Sequence, residues 1–118
     1  MSNNISDEQL LDTVLDNMVK SDASDLYITV GSPIKYRCDD KLITYNPDIL
    51  TKKTIDAIIN QILTPEQIKE FDKSLEYNVS LERSQKSRFR VNLFYQQGNC
   101  GMVIRRIRTI IPTVEELG

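Results

Sequence analysis

The segment from Ser87 to Tyr95 constrains the fold most, because apolar and polar side chains alternate along it. A period of two is that of a β-strand, whose successive side chains point to opposite faces of a sheet. This strand therefore has one apolar face and one largely polar face. The apolar face carries Phe89, Val91, Leu93 and Tyr95, and the other carries Arg88, Arg90, Asn92 and Phe94.

A second strand from Gly101 to Arg108 is predicted to return beside the first, after a turn at residues 97–100. If residues 96 and 101 flank this turn, Asn92 faces Arg105 across the strand pair. Arg90 then lies on the same side as Arg105, one diagonal step away, which is within reach of long side chains. The hairpin therefore brings two arginines from different strands together.

Further arginines follow the same alternation. Arg88 lies two residues before Arg90 and so on the same side, whereas Arg106 and Arg108 point to the other side. Like charges on one face of a sheet repel, so Arg88, Arg90 and Arg105 imply an anion, a carboxylate partner or good solvation. The planar donor fork of arginine suits phosphate oxygens especially well. Spacing alone leaves these interpretations open.

The charge is unevenly distributed along the chain. The net charge is −2, yet no acidic residue occurs between Arg83 and Val114, where seven basic residues lie. The rest of the sequence is strongly acidic. An acidic body with one basic segment suggests a local anion site or an acidic partner surface, because a general nucleic-acid binder tends to be basic throughout. An ordinary solvated strand face would give the same pattern.

The remaining segments complete an α+β domain. A helix is predicted from about residue 6 to residue 20, with Ser6 and Gln9 as a capping box. Three short strands follow, at residues 26–30, 34–38 and 41–45. A helix over residues 55–62 has Thr51 as a possible N-cap, and the next begins at Thr64. With three strands in the last third, the order is α-βββ-αα-βββ around an antiparallel sheet, in a single domain of 118 residues.

Composition and motifs exclude much chemistry. The sequence has no histidine, which removes histidine-based triads and the usual zinc sites. No glycine precedes a lysine, so the phosphate loop G-x-x-x-x-G-K-[ST] (Walker A) is missing and this chain is predicted not to hydrolyse nucleotides. We expect no catalytic residue, no metal site and no cofactor in this chain. Neither a membrane span nor a secretory signal is recognisable, which predicts a cytoplasmic protein.

Small groups of reactive residues have simpler interpretations. Cys38 and Cys100 lack C-x-x-C spacing and are interpreted as reduced, buried residues. Four aspartates stand at strand starts and turns, where their side chains favour local hydrogen bonds to the backbone, which we prefer to an acid/base or metal cluster. They are Asp22, Asp25, Asp39 and Asp40.

Five sequence blocks form a specific series. They are ASDLYITVGSP at residues 23–33, LTPEQ at 63–67, RFRVNLFYQ at 88–96, VIRRI at 103–107 and IPTVEEL at 111–117. In this order and at these separations the chain resembles the N-terminal domain of the type IV pilus retraction ATPases, the PilT/PilU group of the secretion ATPase superfamily. The resemblance runs from about residue 6 to the end, and residues 94–96 and 101–107 resemble the PilU branch more.

The resemblance implies a PAS-like fold and a part in a hexameric motor that uses ATP and Mg²⁺ to drive pilus retraction and twitching motility. Residues 1–118 would be its N-terminal regulatory and assembly domain, and a RecA-like ATPase domain would follow Gly118. The implied partners are that ATPase domain, neighbouring subunits of a homohexamer, a paralogous retraction ATPase and the inner-membrane pilus platform protein. No direct binding of nucleic acid is expected, and the location would be peripheral to the inner membrane.

The resemblance also suggests site residues. The family uses arginines of its R-F-R-V and V-x-R motifs to contact nucleotide phosphates, and the matching positions are Arg88, Arg90 and Arg105. Tyr27 stands where PilT commonly has histidine, and Asp40 replaces a usual turn glycine, which leaves that hairpin's geometry open. The alternatives are a free-standing PAS-like ligand-binding or sensor module, or the equivalent domain of a related secretion or pilus-extension ATPase.

Overall fold

The computed structural model describes residues 7–83, 87–96 and 98–107. Within these ranges the expected α+β order α-βββ-αα-βββ is confirmed. The elements are α1 (Asp7–Lys20), β1 (Asp25–Thr29), β2 (Lys35–Cys38), β3 (Lys41–Thr44), α2 (Lys52–Ile62), α3 (Pro65–Ser74), β4 (Glu76–Arg83), β5 (Ser87–Gln96) and β6 (Asn99–Ile107).

All six strands form one antiparallel sheet in the order β3-β2-β1-β6-β5-β4. The two three-stranded units are each built from sequential neighbours, and they join through β1 and β6. In that central pairing Asp25 faces Arg105 and Leu26 faces Ile104. Residues from opposite ends of the chain therefore become direct neighbours in the middle of the sheet.

The three helices cover one face of this sheet. Strand side chains alternate in burial, so that Leu26 and Ile28 are fully buried whereas Tyr27 and Thr29 are only half-buried. The opposite face stays open to solvent. Between sheet and helices lies one apolar core, in which each large buried side chain contributes roughly 1.5–3 kcal/mol. Its fully buried members include Leu11, Leu15, Met18, Ile55, Ile58, Phe71, Phe89, Leu93, Met102 and Ile104.

Helix starts follow the signals in the sequence. Thr51 caps α2, with its hydroxyl accepting from the backbone N–H of Thr54, and α3 begins with the full capping box. In that box Thr64 Oγ1 accepts from the N–H of Gln67, and Gln67 Oε1 accepts from the N–H of Thr64. The cap predicted at Ser6 lies outside the described residues.

The hairpin of β5 and β6 differs from the sequence prediction in its register. Gln96 pairs with Asn99, so the connection is only residues 97–98, and Asn99 and Cys100 belong to β6. Gly98 has a φ of 82°, a conformation that glycine adopts without strain. A shorter turn shifts the pairing by two residues, which keeps every side chain on its predicted face. The shift places Arg90 directly opposite Arg105 rather than diagonal to it.

The structure also defines the hairpin of β2 and β3 and the end of β4. The turn between β2 and β3 is a regular two-residue connection, because Cys38 pairs with Lys41. Asp39 takes the positive φ there, 57°, and Asp40 does not, so position 40 needs no glycine. Arg83 is the last residue of β4. Within the described residues, no helix has the length and apolar character needed to cross a membrane.

Candidate anion-binding face

Arg90 and Arg105 form the centre of the candidate site. They lie directly opposite each other on β5 and β6, on the face that the helices leave open, and both are exposed. The Cα atoms of such facing residues are about 5 Å apart. Two guanidinium groups that start so close can reach a common anion between them, and without one they repel each other.

The row extends across the sheet beyond these two arginines. Asp25 on β1 faces Arg105 from the other side, and Arg37 on β2 faces Asp25. We call Arg37, Asp25, Arg105 and Arg90 the charged row. Three cations and one carboxylate thus stand side by side on four neighbouring strands, with the carboxylate between two of the cations.

Arg105 is held by Asp25. Its Nε donates to Asp25 Oδ1 at 3.0 Å, and the Ser24 hydroxyl donates to the other carboxylate oxygen, also at 3.0 Å. The side chain of Asp25 is only 10% exposed, whereas that of Arg105 is 71% exposed. The pair therefore has a buried acidic end and a solvent-facing basic end.

Arg88 is engaged by a different carboxylate. Its Nη2 donates to Glu82 Oε2 at 2.7 Å, and these two residues face each other across β5 and β4. Both side chains are half or more exposed, and exposed ion pairs of this kind are worth at most about 1 kcal/mol. Such a contact is easily exchanged for a stronger anion.

Arg90 makes no ion pair or hydrogen bond through its side chain with the residues that the structure describes. Its neighbour across β4 is the uncharged Ser80. Of the three predicted arginines it is the one whose donors are uncommitted. The sequence prediction that Arg88, Arg90 and Arg105 share one face agrees with the strand registers, while their three environments are unequal.

Two members of the charged row are not evident from the sequence alone. Asp25 was interpreted as a strand-start residue with local backbone contacts, but its carboxylate binds an arginine 80 positions away. Arg37 was not singled out; its Nε donates to the hydroxyl of Tyr27 at 3.1 Å. Tyr27 thereby has a partner on the open face. Only the pairing of β1 with both β2 and β6 identifies these residues.

Arg106 provides a contrast on the opposite face. It faces the buried Phe89, and its Nη1 donates to Asp22 Oδ1 at 3.0 Å. Its side chain is less exposed than that of Arg105, so it serves the contact between β6 and the segment before β1. As predicted from the alternation, Arg106 lies away from the three candidate arginines.

Other titratable groups lie at the end of the sheet near α2 and α3. Burial raises the pKa of the Cys100 thiol to about 11. Burial, with a hydrogen bond to Asp72 Oδ1 at 2.8 Å, raises the pKa of Tyr95 to about 12. Both cysteines are free thiols, and Cys38 is only half-buried, contrary to the expectation that both are buried. A thiol and a phenol that resist ionisation are poor nucleophiles and bases.

No family model matches the chain. The chain is similar in sequence to two curated proteins of Pseudomonas aeruginosa. It is 34% identical over 100 residues to the type IV pilus ATPase PilU, a match that covers 85% of this chain and 26% of PilU. It is 38% identical over 99 residues to the type IV pilus retraction ATPase PilT, covering 84% of this chain and 29% of PilT. The chain spans less than a third of the length of these relatives.

Solved structures share the fold. A crystal structure of the pilus retraction motor PilT with bound ADP superposes with a TM-score of 0.75 at 22% identity, covering 89% of this chain and 31% of that one. The ATPase DotB of Legionella pneumophila gives 0.78 at 21% identity, covering 98% and 33%. DotB of Yersinia pseudotuberculosis gives 0.71 at 25% identity, covering 97% and 33%.

Proposed function

Because the chain belongs to the PilT/PilU type of secretion ATPases and corresponds to their N-terminal domain, we propose that its open sheet face supplies arginines to the phosphates of a nucleotide. Arg90 and Arg105 provide the main contacts, and Arg88 joins them when it leaves Glu82. The nucleotide is ATP with Mg²⁺, bound by an ATPase domain in a longer protein. This domain contributes no phosphate loop of its own.

The observation that carries the proposal is the uncommitted Arg90 directly opposite Arg105. Two facing arginines destabilise a sheet slightly unless an anion lies between them. A phosphate accepts from both at once, and its charge removes their repulsion. The weak, exposed pair of Arg88 with Glu82 makes a third donor available at little cost.

In the longer protein this domain acts as a regulatory and assembly unit. The arginines bridge it to a nucleotide held by the ATPase domain, so phosphate binding closes the gap between the two rigid bodies and phosphate release opens it. We propose that the motor is a homohexamer that retracts pili for twitching motility. Its further partners are a paralogous retraction ATPase and the pilus platform protein at the inner membrane.

The decisive experiment measures steady-state ATP turnover of the longer protein, normalised to hexamer content by size-exclusion chromatography with light scattering. Arg90→Ala should lower turnover about tenfold to hundredfold, since each charge-assisted contact in the transition state is worth roughly 1.5–3 kcal/mol. Arg90→Lys should recover part of the loss, because it keeps the charge without the two-pronged geometry.

Arg106→Ala is the matched control. It removes the same charge from the same hairpin, but on the face that turns towards the helices. Its turnover per hexamer should stay near that of the unchanged protein. If Arg90→Ala and Arg105→Ala both stay within about twofold as well, the phosphate role is refuted.

A further inference from the structure

Among the described residues, Asp25 is the only polar or charged one that is buried. A buried carboxylate is costly unless it is paired and hydrogen-bonded. Both oxygens of Asp25 are satisfied, one by Arg105 Nε and one by the Ser24 hydroxyl. Local contacts with the backbone do not explain why this buried carboxylate is paired with an exposed arginine.

The contact uses only one edge of the guanidinium. Arg105 donates through Nε, and no hydrogen bond from its terminal Nη groups to a described residue is present. The side chain is largely exposed, so these Nη groups face the solvent beside Arg90. We propose that Asp25 is a positioning residue, which holds Arg105 by Nε and so aims its terminal donors at a phosphate; this rests on the proposed function.

A competing arrangement would have Arg105 leave Asp25 to bind the anion. Burial argues against it, because Asp25 would then keep its charge in a site that is 7% exposed. Arg37, the other neighbour of Asp25, directs its Nε to Tyr27 and makes no hydrogen bond to Asp25. Arg105 therefore binds phosphate while it remains on Asp25. Because its side chain is already ordered before the anion arrives, binding costs less conformational entropy.

The test uses this chain and inorganic pyrophosphate as the probe, at constant ionic strength because exposed charges are screened by salt. Binding is followed by NMR through the side-chain Nε–H resonances of arginine. Asp25→Asn removes the charge but keeps an acceptor oxygen for Nε, and Asp25→Ala removes both. Circular dichroism checks that each variant is folded.

An effect of charge alone and an effect of positioning predict different rankings of the two variants and the unchanged chain by their affinity for pyrophosphate. Loss of the negative charge of Asp25 removes a repulsion and so tightens anion binding, whichever residue replaces aspartate. If Asp25 positions Arg105, the alanine variant alone also loses affinity, because it no longer holds Nε. We expect Asp25→Asn to bind pyrophosphate at least as tightly as the unchanged chain and Asp25→Ala to bind severalfold more weakly. The Arg105 Nε–H signal should broaden with alanine and stay sharp with asparagine.

The outcomes separate the two proposals. Equal or tighter binding by both Asp25 variants, with Arg90→Ala still weakening it, overturns the positioning role and leaves the phosphate role intact. No pyrophosphate binding by the unchanged chain, or binding that Arg90→Ala and Arg105→Ala do not alter, overturns the phosphate role and the positioning role with it.

Discussion

Replacing Arg105 by alanine should destabilise the fold, although the residue is largely exposed and fills no space in the core. The substitution leaves Asp25 buried with the hydrogen bond from Ser24 and with Arg37 opposite it on β2, whose Nε is turned to Tyr27. Breaking a fully buried ion pair by removing one partner costs about 3–5 kcal/mol. Here Arg105 is 71% exposed, so water reaches the vacated position and offsets part of the loss.

We therefore expect Arg105→Ala to lower the free energy of unfolding by about 1–2 kcal/mol, which for a domain of this size lowers Tm by roughly 4–8 °C. Arg90→Ala is the matched control. It removes the same charge from the facing position and relieves repulsion, and it breaks no ion pair with a described residue. Its change should therefore stay within about 0.5 kcal/mol.

Urea denaturation followed by circular dichroism measures these differences. A double-mutant cycle identifies the cause, because Asp25→Asn removes the buried charge that Arg105 compensates. In the Asp25→Asn background, Arg105→Ala should cost less than about 0.5 kcal/mol. The reasoning is refuted if Arg105→Ala is as mild as Arg90→Ala, or if its cost is unchanged when residue 25 is neutral.

Four further predictions rest on local features of the chain. Thr64→Ala should cost about 1 kcal/mol in urea denaturation, because it removes one half of the α3 capping box. Gly98→Ala should cost about 1 kcal/mol by the same assay: its φ of 82° strains any side chain, although the space around it is empty. The buried Cys100 should react with iodoacetamide far more slowly than the half-buried Cys38, as peptide mapping of the alkylated chain would show. The raised pKa of Cys100 keeps its thiol protonated in the folded state, so the thiol's contribution to stability is complete below pH 9 and is lost as the pH rises towards 11. Cys100→Ala should make the free energy of unfolding fall less steeply over this pH range. Equal slopes for the variant and the unchanged chain would contradict the prediction.

Local patterns in the sequence determined the elements and the faces of their side chains. Alternation fixed which side of β5 carries Arg88 and Arg90, and it stayed correct although the turn was two residues shorter than expected. A two-residue shift preserves faces, because side chains in a strand repeat with period two. The capping box of α3 was also predictable from the sequence, because its two partners lie only three residues apart.

Only the tertiary structure decided which arginine is free. Arg88, Arg90 and Arg105 are equivalent by alternation, yet Glu82 holds the first, Asp25 holds the third, and Arg90 has no such partner among the described residues. The distinction for Arg105 depends on the pairing of β1 with β6, which joins residues 80 positions apart. No local periodicity encodes such a contact, because strand order in a sheet is set by packing of the whole core and not by the segment itself.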